Sequence, residues 1–304
     1  MAVNQPVSDK NLSISTKWSS FPKLTSCDEL NQYMSIRLRG HKKYYHYTSL
    51  RAANSILGES GYFLFSNVKR FNDKYDMNQF GDDKDNSFAI CFSTGITENV
   101  SLWYLYSGID GNGCRLGLTY NNLNKLIRTA SFILCEYDYD KHTIIRTIPV
   151  LDGDLKIQFQ DVLYYRQKDG VPFVDLKYNT MTNYGHISVS EWNKFTAQNK
   201  GFIKKLAWYY EKESRILIQI IGQTASYLDN DKSYAILLPI LESVRKQISV
   251  DLAPEITSID SVLQSQANIK QHVLSQARIK LSEYQGEIQM RLCDRCNRKK
   301  EEQK

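Results

Sequence analysis

The sequence predicts an α+β fold: a mixed sheet with flanking helices, followed by a helical C-terminal region. Three observations carry this expectation. Apolar segments of strand length recur at Tyr44–Tyr47, Tyr62–Ser66, Phe88–Ser93, Cys114–Tyr120, Phe132–Tyr137, Asp161–Tyr165 and Arg215–Ile221. Segments with helical spacing stand between them, which excludes an all-β chain. Beyond Gly222 strand alternation fades, and Ile259, Val262, Leu263, Ile269, Val273, Leu274, Ala277 and Leu281 keep helical spacing.

Residues 1–22 are rich in Ser, Asn and Lys and read as a mobile N-terminal segment. Ser26 and Glu29 have capping-box spacing, so a helix starts there and runs to about Gly40. After the strand at Tyr44–Tyr47, Leu50, Ala53 and Leu57 share one face of a second helix. Gly61 turns the chain into Tyr62–Ser66, and Val68–Tyr75 reads as a loop. The most apolar strand is Phe-Ala-Ile-Cys-Phe-Ser, Phe88–Ser93. Helices follow at Asn99–Tyr106, Asn121–Ile127 and Ser190–Ala207, the last leading to the strand Arg215–Ile221. Asp231–Ile248 and Ile256–Leu292 read as helical runs separated at Ala253-Pro254. The expected organisation is therefore the N-terminal segment 1–22, an α+β domain 23–222 and a helical region 223–304.

With 304 residues and 42% hydrophobic content, the chain can bury a sizeable core. A net charge of +6 permits a nucleic-acid or acidic partner without requiring one. The 20 tyrosines suit wet clefts and interfaces as well as cores. The first twenty residues carry no apolar signal-peptide run, and no stretch approaches the ~20 apolar residues of a membrane span. A cytoplasmic protein with reduced cysteines and no membrane partner is expected. Neither a Gly-x-Gly-x-x-Gly turn nor a Gly-x-x-x-x-Gly-Lys loop occurs, so a Rossmann cofactor site and a P-loop have no support.

Several motifs carry candidate chemistry. His46, within Tyr45-His46-Tyr47-Thr48, ends a short aromatic strand, where an imidazole can hold a ligand hydroxyl; the plainer reading is a core-edge histidine satisfied by a carbonyl. Phe71, Asn72, Asp73 and Tyr75 lie in a polar aromatic loop that could close on a flat ring or simply form a turn. Ser93 and Thr94 end the apolar strand, where a hydroxyl can orient a catalytic carboxylate or form a Ser-Thr turn. Trp103 and Tyr106 share a helix face and read first as core. Glu211-x-Glu213 puts two carboxylates on one side of an extended backbone. One could stabilise a developing cation and the other take a proton; the plainer reading is a pair of solvent-facing charges with Arg215 as a neutralising partner on the same face. Cys293-x-x-Cys296 has no second ligand pair, so no metal is expected.

Taken in order, Tyr45–Thr48, Phe71–Asp73, Cys91–Ser93, Trp103–Tyr106 and Trp208 through Arg215 resemble the prokaryotic domain-of-unknown-function family 2971, often encountered in mobile and phage-defence gene neighbourhoods. The likeness spans about residues 40–222, with Lys74 where proline is expected. The same skeleton is similar to the ADP-ribosyltransferase superfamily, which implies a split mixed sheet and NAD as substrate. By that resemblance His46 and Thr48 would hold the adenine-side ribose, with Tyr45, Tyr47, Asn72, Ser93 and Trp103 around the dinucleotide. Phe71 or Tyr75 would stack on nicotinamide. Glu213 would hold the nicotinamide ribose and stabilise the oxocarbenium-like transition state, and Glu211 would activate the acceptor.

The resemblance implies a toxin-like effector of phage defence or a toxin–antitoxin system, with a neutralising antitoxin or defence-system partner. The basic charge and the tyrosines favour a nucleic-acid acceptor over protein. The alternatives are a non-enzymatic nucleic-acid- or protein-binding module and an NAD hydrolase.

Overall fold

Ser26 opens the first helix as its spacing predicts. Its hydroxyl accepts from the Glu29 amide, the Glu29 carboxylate accepts in return from the Ser26 amide, and α1 runs Cys27–Gly40. The computed structural model describes residues 25–95, 97–106, 112–129, 131–168, 171–174, 185–276 and 279–285. The segment 1–22 and Cys293-x-x-Cys296 lie outside the described residues.

β1 (Tyr44–Ser49) runs into α2 (Leu50–Ile56), which Ser49 caps. β2 (Tyr62–Asn67) alternates half-buried and buried side chains. It is followed by a 3-10 turn, Val68–Arg70, and α3 (Lys74–Asn78). The expected loop is thus partly helical, because Asp73 accepts from the Tyr75 amide at 2.9 Å and caps α3. Lys74 occupies the first helical position, which accepts proline and lysine alike because its N–H needs no intrahelical partner.

β3 (Ser87–Ser93), α4 (Val100–Tyr106), β4 (Gly113–Leu118), α5 (Tyr120–Thr129) and β5 (Ile133–Asp138) come next. Five further strands follow: β6 (Thr143–Ile148), β7 (Leu155–Asp161), β8 (Leu163–Lys168), β9 (Val171–Val174) and β10 (Gly185–His186). α6 (Val189–Gln198) stops well short of Ala207. Gly201, at φ +79°, turns the chain into β11 (Ile203–Lys205) and a 3-10 helix, Leu206–Glu211. A Cβ on Gly201 would lie 2.3 Å from the buried Phe80 ring. Gly201→Ala is therefore expected to cost about 2–3 kcal/mol in urea unfolding; a loss below about 0.5 kcal/mol would show that Phe80 yields freely.

The chain then forms β12 (Glu213–Ile220), α7 (Gly222–Ala225), β13 (Tyr234–Pro239), α8 (Glu242–Arg245), β14 (Ser249–Leu252), α9 (Ile259–Ser265), α10 (Ala267–Gln276) and β15 (Ile279–Lys280). This corrects the expectation of a helical region over 223–304. β13 lies between β2 and β5 and β14 lies beside β4, so this part of the chain completes the main sheet. Both strands are buried on both faces, and such strands lose the alternation that marks a strand in sequence. Among the described residues, α8 falls within the expected run Asp231–Ile248, and α9 and α10 keep the helical character expected beyond Ile256.

Among the described residues the main sheet has eleven strands in the order β15-β14-β4-β1-β3-β2-β13-β5-β6, with β12 and then β7 on the other edge of β3. A second sheet has four strands in the order β10-β9-β8-β11 among the described residues. The fold is mixed α+β. β12 pairs with β3 along its length, from Glu213 opposite Ser93 to Gln219 opposite Ser87. The remaining edge of β3 is shared: β1 meets it at Tyr45 opposite Ser93, and β2 meets it at Ser66 and Asn67 opposite Ala89 and Phe88. The sheet therefore forks at Ile90–Phe92. One face of this region carries the core, with Phe63, Phe88, Ile90, Phe92, Leu116, Ile216 and Ile218. None of the described helices is long and apolar enough to cross a membrane.

Candidate functional site

A cavity of about 380 Å³ opens at the fork. Its walls are Tyr45, His46 and Tyr47 of β1, Leu64 and Ser66 of β2, Ala89–Ser93 of β3, and Arg70–Asn72. Leu102 and Tyr106 of α4, with Glu211 and Glu213, complete it. The fold thus collects Tyr45, His46, Tyr47, Phe71, Asn72, Ser93, Glu211 and Glu213 around one space. Tyr45, Ser93 and Glu213 are in register across β1, β3 and β12. At the usual strand spacing this sets the first and third strands roughly 10 Å apart.

Three expected site residues stand outside the wall. Thr48 lies past the fork, in register with Cys114 of β4. Tyr75 faces away: its hydroxyl bonds that of Tyr165, and the Lys205 ammonium lies 4.9 Å from its ring centroid. Trp103 is fully buried, edge-on to Tyr47 at 4.7 Å, with its indole N–H donating to Glu98 at 3.2 Å. It supports the wall from behind.

His46 answers a vacancy made by the fork. On that edge β1 pairs with β3 at Ser93 and β2 at Ala89 and Phe88, and between them His46 Nδ1 lies 3.1 Å from the Cys91 carbonyl. With Nδ1–H donating, Nε2 is left as an acceptor. Phe63 and Phe92 pack against the ring, and burial pushes its pKa down despite the carbonyl contact, so the imidazole is neutral at pH 7. Arg115 braces the neighbouring tyrosines. Its guanidinium lies 4.0 Å from the Tyr45 ring centroid, bonds the Tyr47 hydroxyl at 3.3 Å and pairs with Asp251 at 2.8 Å.

The two glutamates belong to a buried ionic cluster. Arg215 pairs with both oxygens of Asp76 and with Glu213, through Nε at 2.5 Å and Nη2 at 2.9 Å. Lys204 Nζ reaches Glu211 at 2.6 Å, Glu213 at 2.9 Å and Asp76 at 3.7 Å. Three carboxylates thus face two cations. Burial alone would raise Glu213, but the Arg215 and Lys204 charges outweigh it and hold Glu213 well below the usual carboxylate range. Glu211 moves the other way. Burial first, and then the Glu213 charge, push it up to about 7 against the pull of Lys204. A proton on Glu211 makes the cluster neutral. Within the cluster, Glu211 Oε1 is the oxygen with no donor, although it is buried.

The convergence of Glu211 and Glu213 does not come from strand alternation. Glu211 ends the 3-10 helix, and Lys212 takes a left-handed conformation, φ 45° and ψ 52°, before β12 begins. A non-glycine residue pays steric strain there. Thr94 holds this turn, donating to the Lys212 carbonyl from its amide at 2.8 Å and its hydroxyl at 2.9 Å. The hydroxyl after Ser93 therefore positions the carboxylate turn through the backbone. Lys212→Gly is expected to preserve the site, while Lys212→Val should lower the melting temperature by several degrees; equal melting temperatures would remove the argument from strain.

Asp76 sits within the string Arg70–Asp76, but only the fold shows that it meets Arg215. Nothing in the sequence marks Lys204. Tyr106 belongs to the cavity wall although its spacing from Trp103 reads as core. Comparison of the chain with protein-family models, curated proteins and solved structures gives no match.

Proposed function

We propose that this protein is an ADP-ribosyltransferase that breaks the nicotinamide–ribose bond of NAD in the cavity at the sheet fork. The observation that carries the reading is the pair of glutamates on one wall: Glu213 ionised and fully paired, Glu211 titrating near 7 with one oxygen unengaged. Two carboxyls driven apart in this way suit separate electrostatic and proton-transfer roles.

In this reading His46 Nε2 accepts a ribose hydroxyl, and Phe71 offers a flat surface to the nicotinamide ring. Arg215 lies over the Phe71 ring, 4.9 Å from its centroid, so the ligand uses the other face. As the C1′–N1 bond breaks, its electron pair leaves with nicotinamide, and positive charge grows on the ribose. The ionised form of Glu211 stabilises that charge. The acceptor nucleophile then bonds to C1′, and its proton passes to Glu211. Glu213 keeps Lys204 and Arg215 in place. The assignment of the freer role to Glu211 reverses the expected order of the two glutamates, because both Glu213 oxygens already have cationic donors.

This reading takes the forked sheet as an ADP-ribosyltransferase-like split sheet and keeps the resemblance to the domain-of-unknown-function family. With that resemblance come a cytoplasmic toxin-like role in phage defence or a toxin–antitoxin system, a neutralising partner and a nucleic-acid acceptor.

The test is incubation with adenylate-labelled NAD and separate RNA, DNA and protein fractions, with Glu211→Gln in parallel. Label entering one fraction, and lost in the variant, is the expected result and identifies the acceptor class. Nicotinamide release without labelled acceptor would replace the transferase by an NAD hydrolase. Neither binding nor turnover of NAD would leave a non-enzymatic binding module.

A further inference from the structure

The Arg70 guanidinium stands at the junction of two cavities. It lines the 380 Å³ cavity of the carboxylates and an adjoining one of about 200 Å³ that also contains Asn67, Tyr139, Asp229 and Tyr234. It is held in place without being neutralised. Its Cζ lies 3.9 Å from the Tyr139 ring centroid, and Tyr139 is itself fixed by donating to the Tyr234 carbonyl at 2.8 Å. Stacking uses the face of a guanidinium and leaves its in-plane N–H fork free. Among the described residues Arg70 forms no ion pair, whereas the adjacent Lys69 is paired with Asp85 at 2.5 Å. The 3-10 turn that carries Arg70 is anchored by Asn67, which accepts from the Lys69 amide and donates to the Asp85 carbonyl, both at 2.9 Å.

We infer that Arg70 is the anion-binding residue of a bipartite dinucleotide site. It would hold the pyrophosphate between a riboside in the larger cavity and a nucleoside in the smaller one. The position fits the charge of such a ligand. Arg70 is the cation in the lining of the larger cavity; behind the Glu211–Glu213 wall Lys204 and Arg215 are committed to carboxylates, and Lys212 lines a neighbouring pocket instead. A pyrophosphate would be repelled by that wall and accepted at Arg70. The two lysines of the smaller cavity are paired, Lys69 with Asp85 and Lys232 with Glu136, and its Asp229 and Asp231 suit ribose hydroxyls rather than a second phosphate. A planar guanidinium also matches phosphate oxygens two at a time. The inference deepens the proposed NAD reaction and rests on it for the identity of the dinucleotide.

The experiment is calorimetric binding of NAD, nicotinamide riboside, ADP and single-stranded RNA to the whole chain, with Arg70→Ala and Tyr139→Leu. Arg70 is exposed, so the alanine variant should fold, and its melting temperature checks this. Arg70→Ala is expected to weaken NAD and ADP roughly ten- to a hundred-fold, the range of a charge-assisted contact. Nicotinamide riboside should change less than two-fold. Tyr139→Leu should weaken NAD and ADP by a smaller factor. Equal loss for NAD and the riboside, or no loss for either, would overturn the inference. Loss for RNA but not ADP would also overturn it, assigning the anion to a nucleic-acid strand. ADP binding that depends on Arg70, in a protein that never turns over NAD, would keep the anion site and reject the transferase.

Discussion

Arg215→Met is expected to lower stability by about 3–5 kcal/mol, the range found when one partner of a buried ion pair is removed. Arg215 is 1% exposed. All five of its N–H donors are used: two on Asp76, two on Glu213 and one on the Gly201 carbonyl at 2.6 Å. Methionine would fill much of the volume but leave Asp76, Glu211 and Glu213 facing Lys204 alone. Arg215→Lys should be nearly as costly, because an ammonium cannot span both carboxylates. A urea unfolding curve measures the loss. A second variant separates charge from packing: Arg215→Met combined with Asp76→Leu should lose less than the sum of the single changes, since the pair leaves together. Additivity, or a single-variant loss below about 1 kcal/mol, would mean that the cluster does not hold β12 against α3 and β11.

The parts of this fold that read correctly in sequence are those decided locally. The α1 start follows from Ser26 and Glu29 alone, and β3 follows from an apolar run whose alternate residues meet the core. The parts that misread are decided by distant partners. Tyr234–Pro239 becomes a central strand because β2 and β5 cover its edges, and its own pattern does not distinguish that from a buried helix. The site divides in the same way. His46 stands out within an aromatic strand and Glu213 within a polar string at the head of an apolar one, and one intervening strand, β3, joins them. Asp76 and Lys204 acquire their meaning only when α3 and β11 fold over Arg215. Arg215 does neutralise Glu213, as residues two apart on a strand share a face, but the solvent-facing placement read from the sequence is wrong, since all three charges are buried. The same rule misplaces Glu211, whose approach depends on the left-handed turn at Lys212.

Glu211→Gln should cost activity and add stability at the same pH. The folded chain holds the Glu211 proton up to about pH 7, whereas the unfolded chain releases it near the ordinary value of 4.5. Between those values the folded state binds more protons, so this group's contribution falls as pH rises and levels off above about 7. Complete expression of that difference would amount to about 3 kcal/mol. Glutamine resembles the protonated form: its oxygen can accept from Lys204, and its amide can donate towards Glu213. Glu211→Gln should therefore melt higher than the parent chain at pH 8, and the gap should close towards pH 5. Activity runs in the opposite sense. If Glu211 takes the acceptor proton, kcat/KM of the parent chain rises with pH through about 7, and the variant loses that limb together with roughly 10²–10⁴ of rate. Glu213 cannot produce either effect, because Arg215 and Lys204 keep it ionised throughout this window. A variant that kept a tenth of the rate, or that melted no higher than the parent at pH 8, would move the proton-transfer role off Glu211. The joint outcome is the sharper test, since a purely structural carboxyl would give the stability change without the altered pH–rate profile.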